Sequence, residues 1–404
     1  MNYKLIGIIF IIITWLYGML LQVLQLRSLN NPIPKNAADV YDPETYKKWR
    51  AYRGEKIRLG FISATLSTVI TLVLILSNAF PKFAGLFPKT DFMQMFSIFL
   101  LSLLTGILEL PLNWYDTMVI EQKYGFNRTD RKTFWMDTLK QTLISLLIMV
   151  VIGCLLMWIH KALGDRMILV FAAVMMVLML AIVFLSPVLT KIFNKFTPLE
   201  DGELKDSLTA LLEKHGYTVR AIQVMDASRR STKSNAYFTG FGRMKTIVLY
   251  DTLVEKMTPE EICAVFAHEM GHGLHKDTLK NQLFSAVMIL AMAVLAWLTL
   301  RTPEIFRSFG FEGINYGFAI QLIGIELSLF TPAFSLLQAW FSRRAEYRAD
   351  AQAVQEGYGG ALISALKKLT RENFGDLAPD PLLVSLTYSH PTLSQRIDAI
   401  EAAG

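Results

Sequence analysis

The chain has 404 residues, of which 53% are hydrophobic and 18% charged, and its formal net charge is +6. That is too apolar for an ordinary soluble domain and indicates a multi-pass membrane protein; the basic excess sits in particular loops, where it sets topology, and it requires no nucleic acid partner. Cys154, in an apolar segment, and Cys263, in a helical one, form neither a disulfide framework nor a Cys-x-x-Cys metal site and read as packed small hydrophobes.

Seven apolar segments are long enough, or nearly so, to cross a bilayer: residues 5–24, 59–80, 93–112, 143–159, 168–189, 283–300 and 318–340. The first lacks a small-x-small cleavage site and reads as an anchor. The loop after it carries Arg27, Lys35, Lys47, Lys48, Arg50, Arg53, Lys56 and Arg58, and the loop after the third carries Lys123, Arg128, Arg131, Lys132 and Lys140. The intervening loops are poor in basic residues, so the N-terminus is expected outside and the C-terminus in the cytoplasm, together with the segment between the fifth and sixth spans. Glu109 and Glu326 fall at membrane depth. Such groups either face an aqueous interior or make an interhelical hydrogen bond as protonated carboxyls.

This pattern divides the chain into residues 1–190 with five spans, a cytoplasmic domain at 191–282, two further spans at 283–340 and a helical tail at 341–404 that must pack on the cytoplasmic domain. Within 191–282 an amphipathic helix is expected over 199–215, closed by Gly216, followed by strands over 218–225 and 244–250. Between those strands, Ser234-Asn235-Ala236-Tyr237-Phe238-Thr239-Gly240 is a third candidate strand. It suits an edge that binds a substrate backbone by strand addition, and suits an ordinary hairpin strand equally well.

Thr258-Pro259-Glu260-Glu261 announces a helix, with an N-cap, a proline at the first position and a capping-box glutamate. That helix carries His268-Glu269-Met270-Gly271-His272. The imidazoles stand one turn apart on one face, where they can hold one metal ion with Glu269 beside it. Two neutral imidazoles and one carboxylate leave a fourth position for water, and a nearby carboxylate takes the proton as that water attacks a peptide carbonyl. A metzincin would place a third histidine where Thr278 stands, and a thermolysin-type glutamate would fall inside the sixth span, which has no acid. The next suitable carboxylates are Glu346 and Asp350, one turn apart. One of them suits the metal and the other the far nitrogen of a ligand histidine, unless the pair belongs to a solvated salt-bridge helix. His275 shares the histidine stripe but lies beyond the pair, a neighbour more readily than a ligand.

Together with Ser389-His390-Pro391-Thr392 and Arg396, these residues resemble the integral-membrane zinc metallopeptidases of the CAAX prenyl protease type. The likeness extends to the seven spans, to Glu121-Gln122-Lys123-Tyr124-Gly125-Phe126-Asn127, to Phe193-Asn194-Lys195-Phe196-Thr197-Pro198-Leu199-Glu200 and to Ser234-Asn235-Ala236-Tyr237. It implies a mainly α-helical polytopic fold, with seven transmembrane helices around an intramembrane chamber and a small α+β zinc protease domain of gluzincin type. It implies one Zn2+ held by His268, His272 and Glu346, with Glu269 as general base. Asp350 would orient a ligand or donate a proton, His390 and Arg396 would stand near the substrate carbonyl and the developing oxyanion, and Asn235 and Ala236 would carry the substrate-binding edge. One departure is Asp277, at a position where the family often has a further histidine, so no role is carried over for His275. The implied partners are the lipid bilayer and a peptide or protein substrate, prenylated for the eukaryotic members. Two alternatives stand beside this reading: an HtpX-type quality-control protease, usually with fewer spans, and a transporter or channel with structural zinc. The second is disfavoured by an open three-ligand set and by the lack of inverted repeats.

Overall fold

The computed structural model describes residues 2–239 and 244–404, so Gly240, the last residue of the expected third strand, lies outside them. In chain order the principal helices are α1 (Tyr3–Ser28), α2 (Pro43–Leu76), α3 (Asp91–Gly106), α4 (Arg131–Leu163), α5 (Met167–Phe193), α6 (Glu203–Lys214), α7 (Pro259–Leu274), α8 (Asp277–Leu300), α9 (Tyr316–Gln355), α10 (Gly359–Glu372) and α11 (Leu393–Ala403). Their starts follow local chemistry: Asp42, Thr90 and Asp130 each accept a hydrogen bond from a backbone N–H in the first turn of α2, α3 and α4.

Among the described residues, five stretches are long and apolar enough to span a membrane, with 131–185 counted once, and six if a bent pair is taken as one span. The 131–185 stretch folds back at Gly164, where φ is +52°. Lys140 Nζ, early in α4, donates to the carbonyl of Ile192, late in α5, at 3.2 Å, so the two arms are antiparallel. The third span was expected to be continuous over 93–112. Instead α3 stops at Gly106 and the chain turns by 44° before resuming as Leu110–Tyr115. Gly106 weakens the helix, and Pro111, which lacks an N–H, opens the next one. Glu109 is half-buried at this break, while Thr299 of α8 donates to Glu326 of α9 at 3.2 Å, an interhelical bond.

No more than 22% of any spanning window is buried, so most of the apolar helix surface is left exposed. One apolar cavity of about 670 Å³ lies between α4, α5, α8 and α9, lined by Leu147, Met175, Met179, Phe284 and Phe334 among others.

The polar part holds a four-stranded sheet in the order β1-β2-β4-β3. β1 (Phe196–Pro198) runs antiparallel to β2 (Thr218–Met225), β2 is parallel to β4 (Met244–Tyr250), and β4 is antiparallel to β3 (Ala236–Thr239). β2 and β4 occupy the expected bounds. β1 is too short to show an alternation, and Leu199 extends its ladder by donating to Ile222 O at 2.9 Å, which delays α6 to Glu203. One buried cluster joins Ile247 and Leu249 of β4, Ile262 and Phe266 of α7, Ala353 of α9 and Ile397 of α11. It also takes Tyr41, just before α2, and Trp49, in the first turns of α2; Trp49 Nε1 donates to Phe374 O at 3.1 Å.

α9 is a single helix of 40 residues, about 60 Å long. It passes without a break from the apolar 318–340 segment into the polar stretch bearing Glu346 and Asp350.

Candidate active site

α7 is held at its start by the reciprocal bonds of Thr258 and Glu261, and Glu261 also accepts from Ser364 at 2.6 Å and Lys368 at 2.7 Å. At its end His275 Nδ1 lies 2.8 Å from Gly271 O, so His275 closes the helix and does not join the histidine pair. A Cβ on Gly271 would stand 2.8 Å from the Cα of Ala349. The missing side chain lets the backbones of α7 and α9 meet there, which sets Glu346 and Asp350 opposite the two histidines.

The geometry is compact. His268 Nε2 is 3.5 Å from Glu346 Oε2, and His272 Nε2 is 3.2 Å from Glu346 Oε1. The far nitrogen of each ring meets a buried carboxylate: His268 Nδ1 lies 2.8 Å from Asp350 Oδ1, and His272 Nδ1 lies 3.2 Å from Asp277 Oδ2. Such carboxylates fix the tautomer that leaves Nε2 bare for a metal. Arg396 of α11 grips Asp350 through Nε at 2.9 Å and Nη2 at 2.6 Å, leaving Nη1 at 3.5 Å from Glu346 Oε2. His390 Nε2 is 3.3 Å from Glu346 Oε1, with its side chain 60% exposed. The turn before it is pinned by Arg343, which donates to the carbonyls of Val384 and Tyr388 at 3.0 and 2.7 Å. Glu269 is half-buried and makes no hydrogen bond or ion pair among the described residues.

His268, His272 and Glu346 place their ligand atoms within 4.8 Å of one another. Tetrahedral bonds of about 2.0–2.1 Å put neighbouring ligand atoms roughly 3.3 Å apart, which the two Nε2-to-carboxylate distances bracket. Glu346 Oε2 is buried with no hydrogen-bond partner. Arg396 Nη1 and His268 Nε2 each stand 3.5 Å from it, too far to bond it well, so this oxygen keeps lone pairs to offer and the donor set fits a metal ion. Burial lowers the His272 pKa, but Glu346, Asp277 and the charge of Glu269 together raise it to about 9.

The structure therefore brings together His268, His272, Glu346, Asp350, His390 and Arg396, with Glu269 next to His268 along α7 and unengaged. Asn235 and Ala236 make no hydrogen bond to that group. Asn235 is exposed, its carbonyl accepts from Tyr250 N at 3.1 Å, and Ala236 opens β3, the outer strand of the sheet. Ala236 packs in the same buried cluster as Ala264 and Ala267 of α7. Two residues escaped the sequence reading: Asp277, and Arg348, which donates to Asp277 Oδ1 at 2.9 Å. The signal for Asp277 was arithmetical, since each ligand histidine wants its own carboxylate and Asp350 serves only one.

Comparison with known proteins agrees with this architecture. Residues 22–195 match the family model described as CAAX prenyl protease N-terminal, five membrane helices, and residues 198–403 match that of peptidase family M48. The CAAX prenyl protease 1 homolog of Arabidopsis thaliana is 34% identical, covering 97% of this chain and 96% of its own. CAAX prenyl protease 1 of Saccharomyces cerevisiae is 34% identical over 91% of this chain and 88% of its own, and the Homo sapiens homolog is 30% identical with the same coverage. The crystal structure of S. mikatae Ste24p superposes with a TM-score of 0.93 at 31% identity, covering 99% of both chains. The chain belongs to peptidase family M48 and is a membrane-embedded metalloendopeptidase with the N-terminal membrane region of the CAAX prenyl proteases.

Proposed function

We propose that the metal is a single zinc ion held by His268, His272 and Glu346, and that the substrates are peptides or proteins at the membrane, among them prenylated proteins cut near a lipidated C-terminus. The observation that carries this reading is the pair of Nε2 atoms facing one buried carboxylate, whose Oε2 lacks a hydrogen bond, with a free glutamate beside them. When bound, zinc supplies Lewis acidity toward water and the scissile carbonyl. Glu269 takes the proton of the attacking water and passes it to the leaving amine. Asp350 and Asp277 hold the Nδ1 protons and keep both rings oriented. His390, more open than Arg396, is the more accessible donor to oxygen as charge develops on it, and Arg396 contributes through Nη1. The outer edge of β3, from Asn235 and Ala236, offers its backbone to the substrate as an added strand.

The names of the relatives and the match over 22–195 support the CAAX type over an HtpX-type protease. Seven crossings follow if the α4–α5 hairpin counts twice and the bent third span once, with the site on the cytoplasmic side by the distribution of basic loops. The test is zinc content and cleavage of a farnesylated CAAX peptide, measured together for the parent and for Glu269→Gln. One zinc in each, with cleavage only in the parent, is the expected result. Cleavage by Glu269→Gln at the parental rate would overturn the mechanism, and zinc-loaded parent that cuts an unprenylated peptide but spares the farnesylated one would overturn the substrate assignment.

A further inference from the structure

At the foot of the α4–α5 hairpin lies a second cleft, about 560 Å³ in volume, away from the metal-ligand cluster. Six cations line it, Lys132, Lys140, Lys191, Lys195, Arg229 and Arg230, against two carboxylates. Both carboxylates are already engaged. Asp130 caps α4 by accepting from Thr133 N at 2.7 Å, and Asp137 accepts from Arg230 Nε at 2.8 Å. Lys140 is committed to the carbonyl of Ile192. Among the described residues, the side chains of Lys132, Lys191, Lys195 and Arg229 make no hydrogen bond or ion pair, so the cleft keeps an excess of positive charge that the carboxylate of Asp130, facing Arg229 and Lys132, answers only in part.

Its position says what kind of anion. The cleft sits where α4 enters, and α5 leaves, the apolar region. Met136 of α4 and Ile192 of α5, which line the cleft, are exposed at 46% and 45%, and beyond it on α4 Leu139 and Leu143 are exposed at 52% and 56%. Trp135, also 49% exposed, marks the level of a membrane interface. A cationic cleft continuous with an exposed apolar strip matches an amphiphile, whereas a soluble anion would have no use for the strip. We propose that this cleft binds the phosphate-bearing headgroup of an anionic phospholipid, with its acyl chains lying along α4 and α5. The cytoplasmic placement proposed above bears only on the choice of leaflet, whose anionic lipids favour such basic sites. The site also has a route to the enzyme's working parts. Arg230 holds Asp137 of α4, reaches Asn194 Oδ1 just beyond α5 at 3.2 Å, and lies in the segment leading to β3. Arg230 therefore ties the membrane hairpin to the segment that leads into the sheet, and the cleft lies against that tie.

The test uses the full chain, purified and offered dioleoylphosphatidylglycerol or dioleoylphosphatidylcholine, with retained lipid read by native mass spectrometry. The parent is expected to retain the anionic lipid preferentially. Each cation near such a surface contributes about fivefold, so the triple variant Lys191→Gln, Lys195→Gln, Arg229→Gln should lose retention by on the order of 100-fold. A charge-conserving triple, Lys191→Arg, Lys195→Arg, Arg229→Lys, should keep it, and all three proteins should share a melting temperature because these side chains are exposed. Equal retention of the two lipids, or undiminished retention in the glutamine triple, overturns the proposal. Displacement by inorganic phosphate would reassign the cleft to a free anion, and displacement by a soluble acidic peptide would reassign it to a protein partner; either result rejects the lipid.

Discussion

The contact of Gly271 with Ala349 is the most exacting feature of the site, and Gly271→Ala tests it. The added Cβ would stand 2.8 Å from Ala349 Cα, 3.1 Å from Gln352 Cβ and 3.3 Å from Ala349 Cβ. Ordinary carbon contacts lie at about 3.5–4.0 Å, so α7 and α9 must part by roughly 0.7 Å. Metal ligands tolerate only about 0.2 Å. Overpacking of this kind costs about 1–3 kcal/mol, while alanine is about 1 kcal/mol better than glycine inside a helix. The fold should therefore lose only about 0–2 kcal/mol. The ligand set absorbs the displacement, and zinc affinity should fall roughly 10- to 100-fold. Competition with a chromophoric chelator, run beside thermal unfolding in detergent, reads both quantities. Gly54→Ala is the control: it lies inside α2 with nothing within 4 Å of the new methyl group, and it should be neutral or stabilising with zinc binding unchanged. If Gly271→Ala binds zinc within about twofold of the parent, the helix crossing does not set the ligand geometry.

Other outcomes follow from the same contacts. Asp277→Ala removes the buried carboxylate that holds His272 Nδ1 and also accepts from Lys280 and Arg348, and should weaken zinc binding by about 10- to 100-fold, measured by the same competition, with a stability cost of about 1–3 kcal/mol. Asp350→Ala leaves Arg396, 8% exposed, without its main partner, and should cost about 3 kcal/mol of stability as well as zinc. Burial pushes the Glu261 carboxyl up, but Lys368, Ser364 and the N–H of Thr258 hold it below the usual range overall. Its stabilisation is thus complete above the unfolded value of about 4.3 and is lost as pH falls through the lower folded value. The parent should lose thermal stability more steeply than Glu261→Gln on acidification below that point, and parallel curves would reject the capping role.

Local rules carried much of this architecture. The capping box at Thr258 and the one-turn spacing of His268 and His272 are short-range facts, and so are the alternations that bound β2 and β4. Glu346 and Asp350 were found by asking which acids share a helix face, and the fold brings that face to the histidines. What escaped depends on distance in the chain. Trp49 stands in a basic stretch near the start of α2 and joins the core through Phe374, 325 residues away. Asp277 looked like a departure from a family pattern because its meaning lies in His272 and Arg348, which only the turn at Lys276, with φ +55°, brings to it. The break after Gly106 was hidden by an apolar run that continues across it. β1 was hidden by its length of three residues.

Because one unbroken helix carries both a membrane crossing and Glu346, the proposed metal ligand, the thickness of the bilayer acts on that carboxylate as a lever. Membrane helices answer mismatch by tilting. From Pro332 to Glu346 the arm is about 21 Å, so a tilt of about 5° moves the carboxylate by roughly 2 Å, as far as a metal–ligand bond is long. The same enzyme placed in thinner or thicker membranes should cut at different rates with every catalytic side chain unaltered, which makes the host membrane a regulator of turnover.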